Sequence, residues 1–174
     1  MLMSRPDPNS VVERLRVPAT EPLTDSELPR VSIVILNWNG KHHLGPCFET
    51  LRGMDYPEDR FEVVLVDNGS DDGSQREARE KHGWVRLVEN EKNSGFSAGC
   101  NQGAQVAREG PLDPEVLVFL NNDIHVDPGF LRALVAPVVT KLPMTSLDAS
   151  RPGYGAAFIL VAHSPSSAID GFMT

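Results

Sequence analysis

Three short polar clusters hold the side chains best suited to chemistry: Asn37-Trp38-Asn39, Asp67-Asn68-Gly69-Ser70 and Asn121-Asn122-Asp123. Each directly follows an apolar run, VSIVIL, FEVVLV and VLVFL respectively. A carboxylate where Asp67 stands can accept a hydrogen bond from a nucleobase ring N–H or a ribose hydroxyl. It can equally close an Asx turn onto Gly69 and Ser70, or cap the following helix. Asp123 offers oxygen to a hard divalent ion. Mg²⁺ is often held by one or two protein carboxylates together with phosphate oxygens. Asn121 and Asn122 can hydrogen-bond around such an ion, although amides alone bind metal weakly. Trp38 can stack on a base or a sugar, or close the edge of a core. The plainer reading of each cluster is a turn, since turns favour Gly, Asn and Asp. Turn formation accounts for one such cluster more readily than for three.

Other chemistries find less support. There is no GxxxxGK[ST] and no GxGxxG after the first apolar run, so the familiar phosphate loops are missing. Asn93-Ser94-Gly95 precedes a helical stretch and offers backbone N–H groups to an anion. His42 and His43 are adjacent rather than four apart, a poor zinc pair, and His82, His125 and His163 stand alone. Cys47 and Cys100 lie in no zinc-like spacing and read as buried thiols in a reducing compartment. The net charge of -8, with no basic stripe, argues against a nucleic-acid surface. It does not argue against a nucleotide held through a cation or through backbone dipoles.

The elements that must position these clusters follow from pattern. A chain of 174 residues with 40% hydrophobic and 23% charged residues is enough for one globular domain. Residues 1–30, with Pro6, Pro8, Pro18, Pro22 and Pro29, read as a flexible leader with little ordered core. Residues 31–174 form the domain. Strands are expected at 31–36, 61–66, 85–88 and 116–120, with a last apolar run at 155–162. Helices are expected at 42–54, with Pro46 near its first turn, at 73–82 and at 97–109. Another opens at Asp127-Pro128, with Pro137 ending or bending it. Gly99 and Gly103 sit inside the third helix at a cost in propensity, which suggests that something packs close to its backbone. Strands alternating with helices, and nearly uninterrupted in apolar character, predict an α/β fold with a mostly parallel sheet. In such a sheet the strand ends share one edge, and ligands bind in the crevice outside it. The opening MLMSRPDPNS has no apolar signal-peptide core, and no apolar run reaches the ~18 residues of a membrane span. Cytoplasmic placement is the expectation.

Taken in order, VSIVILNWNG, FEVVLVDNGSDDGS, ENEKNSGFSAGCNQGA and VLVFLNNDIHVDPGFL resemble the family 2 glycosyltransferases of the GT-A fold, and within them the rhamnosyltransferase-like members. The resemblance covers about residues 31–134, and a weaker one extends to GAAFILVAHSPSSAIDGF. It implies an inverting enzyme that moves a sugar from a nucleotide-diphosphate sugar to the hydroxyl of a saccharide or lipid-linked acceptor. It implies that Asp67 contacts the donor base, and that Asn37, Trp38, Asn39, Asn68 and Ser70 line the nucleotide side. Gly95 and Asn101 match an Asn-x-Gly…Asn-x-Gly element near the donor. Asn121-Asn122-Asp123 matches the Asp-x-Asp-like element, with Asp123 as carboxylate ligand of Mg²⁺ or Mn²⁺. Cell-surface polysaccharide assembly, peripheral membrane association at the inner face and no nucleic-acid partner also follow from it. Two departures stand out. Cys100 occupies a position where many relatives carry Arg. The family's Glu-Asp-x-Asp-like motif, which holds the general base, has no counterpart before Thr174, and Asp127, Asp148 and Asp170 match no family position. The expectation is a GT-A-like domain shortened at its C-terminal end, with impaired transfer. The alternative is a non-catalytic nucleotide-sugar-binding or protein-interaction module.

Overall fold

The computed structural model describes residues 22–139. The elements run β1 (Val31–Asn37), α1 (Lys41–Arg52), a single 3-10 turn (Glu58–Arg60), β2 (Phe61–Asp67), α2 (Ser74–Lys81), β3 (Arg86–Glu89), α3 (Phe96–Arg108), β4 (Val116–Asn121) and α4 (Phe130–Val139). The four strands form one parallel sheet in the order β3-β2-β1-β4. The alternation of helices and strands in the sequence dictates this, because parallel neighbours need a crossover and the crossovers here are helical.

Both faces of the sheet are covered, which is why its strands read as unbroken apolar runs. Ile33, Ile35, Val63, Leu65, Val118 and Leu120 point to one face, where Leu44, Phe48 and Leu51 of α1, Ala78 of α2 and Leu131 and Val135 of α4 meet them. Val34, Val64, Val66, Leu117 and Phe119 point to the other, against Cys100 and Ala107 of α3. Each fully buried aliphatic side chain contributes about 1.5–3 kcal/mol relative to exposure. The close approach expected at Gly99 and Gly103 is made by the sheet itself. A Cβ on Gly99 would run into the Leu36 side chain, and one on Gly103 into Val34 and Val66.

Several expectations need adjustment. The core begins before β1. Leu28 is only 1% exposed and belongs to the larger apolar cluster, so the end of the presumed flexible leader is structural. It is held there by main-chain acceptors. Arg60 Nη1 donates to the Leu28 carbonyl at 2.6 Å and the buried Tyr56 hydroxyl to the Pro29 carbonyl at 2.7 Å. Upstream, the Thr24 N–H and hydroxyl both donate to the Glu27 carboxylate, at 2.9 and 2.6 Å, closing a tight turn. Proline content suggested looseness there, but local turn bonds and one well-placed leucine decide otherwise. Pro46 lies inside α1 rather than in its first turn, so it removes one helical N–H bond, that to the His42 carbonyl. Asp127-Pro128 forms a turn before α4, in which the Phe130 N–H donates to the Asp127 carbonyl at 2.9 Å. Pro137 sits within α4, which continues to Val139. The third strand starts one residue later than expected and the other boundaries shift by one or two. The apolar run at 155–162, His163, Asp148 and Asp170 lie outside the described residues.

Replacing Leu28 by Ala should therefore cost about 2–5 kcal/mol of unfolding free energy, as for other buried leucines. Urea titration of the two proteins measures it. A loss well under 1 kcal/mol would return residue 28 to a solvated leader.

Candidate functional site

A parallel sheet delivers all its strand ends to one edge, and the register makes three of them neighbours. Asn37 at the end of β1 pairs with Asp67 at the end of β2, and Leu36 pairs with Asn121 at the end of β4. The chain adds β2 and β3 on one side of β1 and then returns to place β4 on the other. The β1/β4 boundary is thus the switch point where open α/β sheets leave a crevice. The clusters after β1 and β4 meet at it, and the cluster after β2 lies one strand away.

Asp67 lies at the centre and has no exposed surface. Its Oδ2 accepts from Asn37 Nδ2 at 2.8 Å. Its Oδ1 accepts from the Ser70 N–H at 2.9 Å and from Gln75 Nε2 at 2.8 Å. The Ser70 bond closes the loop after β2 three residues on, one residue longer than an Asx turn. Burying a carboxylate is costly unless donors replace water, and three do so here. Asn37, itself fully buried, accepts through Oδ1 from Asn122 Nδ2 at 2.6 Å. An unbroken hydrogen-bonded line therefore crosses the ends of β2, β1 and β4. Ser70 Oγ joins it by accepting from the Asn39 N–H at 2.9 Å, while Asn39 Oδ1 accepts from the Asp71 N–H at 2.9 Å. Gly40 makes room, since a Cβ there would collide with the Asn37 and Asn122 side chains.

Asn68 anchors a second set. Its Oδ1 accepts from Ser94 N–H at 3.1 Å, Ser94 Oγ at 3.0 Å and Asn90 Nδ2 at 3.2 Å. Its Nδ2 donates to Asn93 Oδ1 at 2.8 Å and to the Gly95 carbonyl at 3.2 Å. Asn90 and Gln102 exchange two amide bonds at 2.8 and 2.9 Å. This network fixes the loop that leads into α3. It holds Gly95 at φ 89°, ψ 167°, a conformation essentially restricted to glycine. The Asn68 amide is thus committed to the protein, being 1% exposed, and shapes the rim rather than facing outward. Asn101 is on the exposed side of α3. Cys100 is buried against Val34 and its neighbours, and burial pushes its thiol pKa up. It is a packing residue. Gln75, Asn90 and Gln102 are not singled out by the sequence, and Asn93 is noted there only for its backbone N–H. Their only signal is amide type within a few residues of a cluster.

The remaining residues line the open edge. Trp38 is 59% exposed and Phe96 51%. Trp38 is therefore not a core-edge aromatic. Asp123 is exposed, one residue beyond Asn122, and its charge is felt at Cys47 in the middle of α1. The Cys47 thiol is pushed up to about 12, by burial first and by Asp123 second. Among the described residues no three His, Cys, Asp or Glu side chains are grouped to hold a metal. His42 and His43 stack on each other, with ring centroids 3.8 Å apart. A lone exposed carboxylate with two flanking amides fits a Mg²⁺ or Mn²⁺ ion shared with a ligand's phosphates, and does not fit one held by protein alone. An open hollow of about 450 Å³ flanks the edge between α1 and α2, with Asn39, Lys41, His42 and Asp72 on its walls. Burial by itself raises the Asp72 carboxyl, but bonds from the Ser74 hydroxyl and the Lys41 and Ser74 N–H groups outweigh it and hold the group below the usual range.

Comparison with known proteins agrees with this architecture. The chain is 29% identical over 101 residues to Glycosyltransferase AglE of Haloferax volcanii, covering 56% of this chain and 32% of that protein. It is 28% identical to Putative glycosyltransferase EpsH of Bacillus subtilis, covering 63% and 30%. It is 29% identical to Dodecaprenyl-phosphate galacturonate synthase of Rhizobium johnstonii, covering 67% and 33%. The chain thus spans about a third of the length of these curated relatives. Among solved structures, S. aureus TarS superposes with a TM-score of 0.55 at 21% identity, over 63% of this chain and 32% of that one. The mannosyltransferase PcManGT of Pyrobaculum calidifontis, solved with GDP-Man and Mn²⁺, does so with 0.56 at 23% identity, over 73% and 38%. These similarities show the GT-A type of fold. The sequence model of the family described as Glycosyl transferase family 2 matches residues 32–152, from the start of β1 to beyond α4. The chain belongs to glycosyl transferase family 2.

Proposed function

We propose that this chain binds the donor in an inverting transfer of a sugar from a nucleotide-diphosphate sugar to an acceptor hydroxyl. The observation that carries the reading is the hydrogen-bonded line Asp67–Asn37–Asn122, which ends beside the exposed Asp123 at the sheet's switch point. It links the buried carboxylate at the end of β2 to an exposed one after β4. Asp67 takes the base, Trp38 and Asn39 flank it, and Asn121 and Asn122 orient the β4 end toward the diphosphate. Gly95 brings the loop before α3 to the edge, beside the sugar or phosphate. Support comes also from a neighbour of the same fold solved with UDP-GlcNAc, and from a relative named for a dodecaprenyl-phosphate product. They favour a nucleotide-sugar donor and a lipid-linked or saccharide acceptor. Within the family, the sequence resemblance is to the rhamnosyltransferase-like members.

Asp123, with help from Asn121 and Asn122, would hold Mg²⁺ or Mn²⁺ against the donor diphosphate. Bound there, the ion supplies charge stabilisation to the leaving nucleoside diphosphate. The chain's own residues bind and orient. The line from Asp67 fixes the base, and the anomeric carbon is left open to attack from the face opposite the diphosphate. A general base must take the acceptor proton. Asp127 is exposed in the turn before α4, and no described carboxylate is assigned that role. Among the described residues no helix is long and apolar enough to cross a membrane. Peripheral association at the membrane's inner face remains part of the proposal, because a lipid-linked acceptor would have to be met there.

Two measurements test this reading. A thermal-shift series with UDP-, TDP- and GDP-sugars, each with and without Mn²⁺, should single out one nucleotide. At a hundredfold excess over Kd the stabilisation is about 2.7 kcal/mol. No shift with any donor would remove the proposal, and a shift without hydrolysis or transfer would favour the binding-module alternative. Replacing Asp123 by Ala should lower the Mn²⁺-dependent part of nucleoside-diphosphate affinity by about tenfold, or about 1.4 kcal/mol, and leave metal-free binding intact. An unchanged Mn²⁺ response in calorimetry would end the metal assignment.

A further inference from the structure

The Asp67 carboxylate presents a difficulty for any nucleobase. It has no exposed surface, and three protein groups already donate to it. A base N–H reaches it only if one of those donors leaves. The Ser70 N–H is main chain, fixed in the loop after β2. Asn37 is fully buried and held from its other side by Asn122. Gln75 differs from both. It sits in the first turn of α2, is only partly buried, and reaches Asp67 Oδ1 at 2.8 Å on a flexible stem. Its amide oxygen makes no hydrogen bond to another described residue.

We propose that Gln75 is a placeholder for the donor base. Its amide occupies the position on Asp67 Oδ1 that a ring N–H takes, and it swings away when the nucleoside enters. The inference rests on the proposed contact between Asp67 and the base. The exchange replaces one donor by another, so the buried carboxylate keeps its three bonds throughout. Gln75 thus prevents an unsatisfied buried acceptor in the free protein, and it competes with the ligand for that acceptor. Selection comes from the carboxylate that Gln75 covers. Uracil, thymine and guanine carry a ring N–H able to replace it. Cytosine and adenine present a ring acceptor at the same edge, which a carboxylate repels. Gln75 in this sense tempers the affinity for ring-N–H bases, acting through Asp67, and CDP, which cannot take its position, leaves it in place.

The test compares the full chain with its Gln75→Met and Asp67→Asn variants, using calorimetric titration with UDP, TDP, GDP and CDP and thermal melting of each free protein. Methionine keeps the length of the side chain and removes the donor. The expected result is that free Gln75→Met melts lower, yet binds the preferred ring-N–H nucleotide about three- to tenfold tighter, the value of one hydrogen bond no longer broken on binding. CDP binding gains nothing. A purely structural role for Gln75 predicts the opposite sign, with lower melting and weaker binding together. Unchanged or weaker UDP, TDP and GDP binding in Gln75→Met, while Asp67→Asn still weakens it, overturns the placeholder and leaves the base contact standing. If Asp67→Asn leaves all four nucleotides unaffected, the base contact itself fails and the placeholder with it. Gln75→Ala carries the same expectations and replaces Gln75→Met if that variant does not fold.

Discussion

A carboxylate sealed from water at the end of β2 constrains everything around it. Three donors must meet Asp67 within hydrogen-bond distance, and they come from three places: the Asn37 side chain on β1, the main chain at Ser70, and Gln75 on α2. Satisfying it therefore sets the register of β1 against β2, the shape of the β2–α2 loop and the placement of the first turn of α2. Asn37 passes the constraint on. With its Nδ2 committed to Asp67, its Oδ1 is left to accept from Asn122, which ties down the chain after β4. An unpaired buried acceptor costs about 1–3 kcal/mol, more when charged, which is a large share of a small domain's stability.

The choice of amides for this work has a physical basis. An asparagine or glutamine both donates and accepts, so amides can be chained where lysine or a second carboxylate cannot. They carry no net charge and escape the heavy desolvation cost of a buried ion. The second network, Gln102–Asn90–Asn68–Asn93, uses the same property to hold the loop before α3. In a protein of net charge -8, a scaffold of amides adds no further charge around the two acids.

Packing and site are linked through α3. Gly99 and Gly103 let that helix rest directly on Leu36, Val34 and Val66, side chains of the same strands whose ends carry Asn37 and Asp67. The depth of that contact sets how far Gly95 and Phe96 stand above the strand ends. A larger residue at either glycine would lift the helix and, with it, one rim of the crevice. The rim and the core share the same few residues, so they cannot vary independently.

The sequence alone determined the α/β class, because unbroken apolar strands and helical spacing between them are local patterns. It also determined that the polar clusters fall at strand ends, and the order of those clusters carried the family. Local signals failed where contacts are long-range. Prolines before β1 suggested a loose leader, yet Leu28 reaches the core because Arg60 and Tyr56, some thirty residues later, hold its carbonyl and that of Pro29. Only the tertiary structure decided that Asp67 is enclosed rather than presented, that Asn68 serves the rim, that Cys100 is packing, and that Gln75 belongs to the site at all. Each of these depends on which donor lies within three ångströms of which acceptor. Residue type states what a side chain can bond to, and the folded chain alone states what is near enough to be bonded.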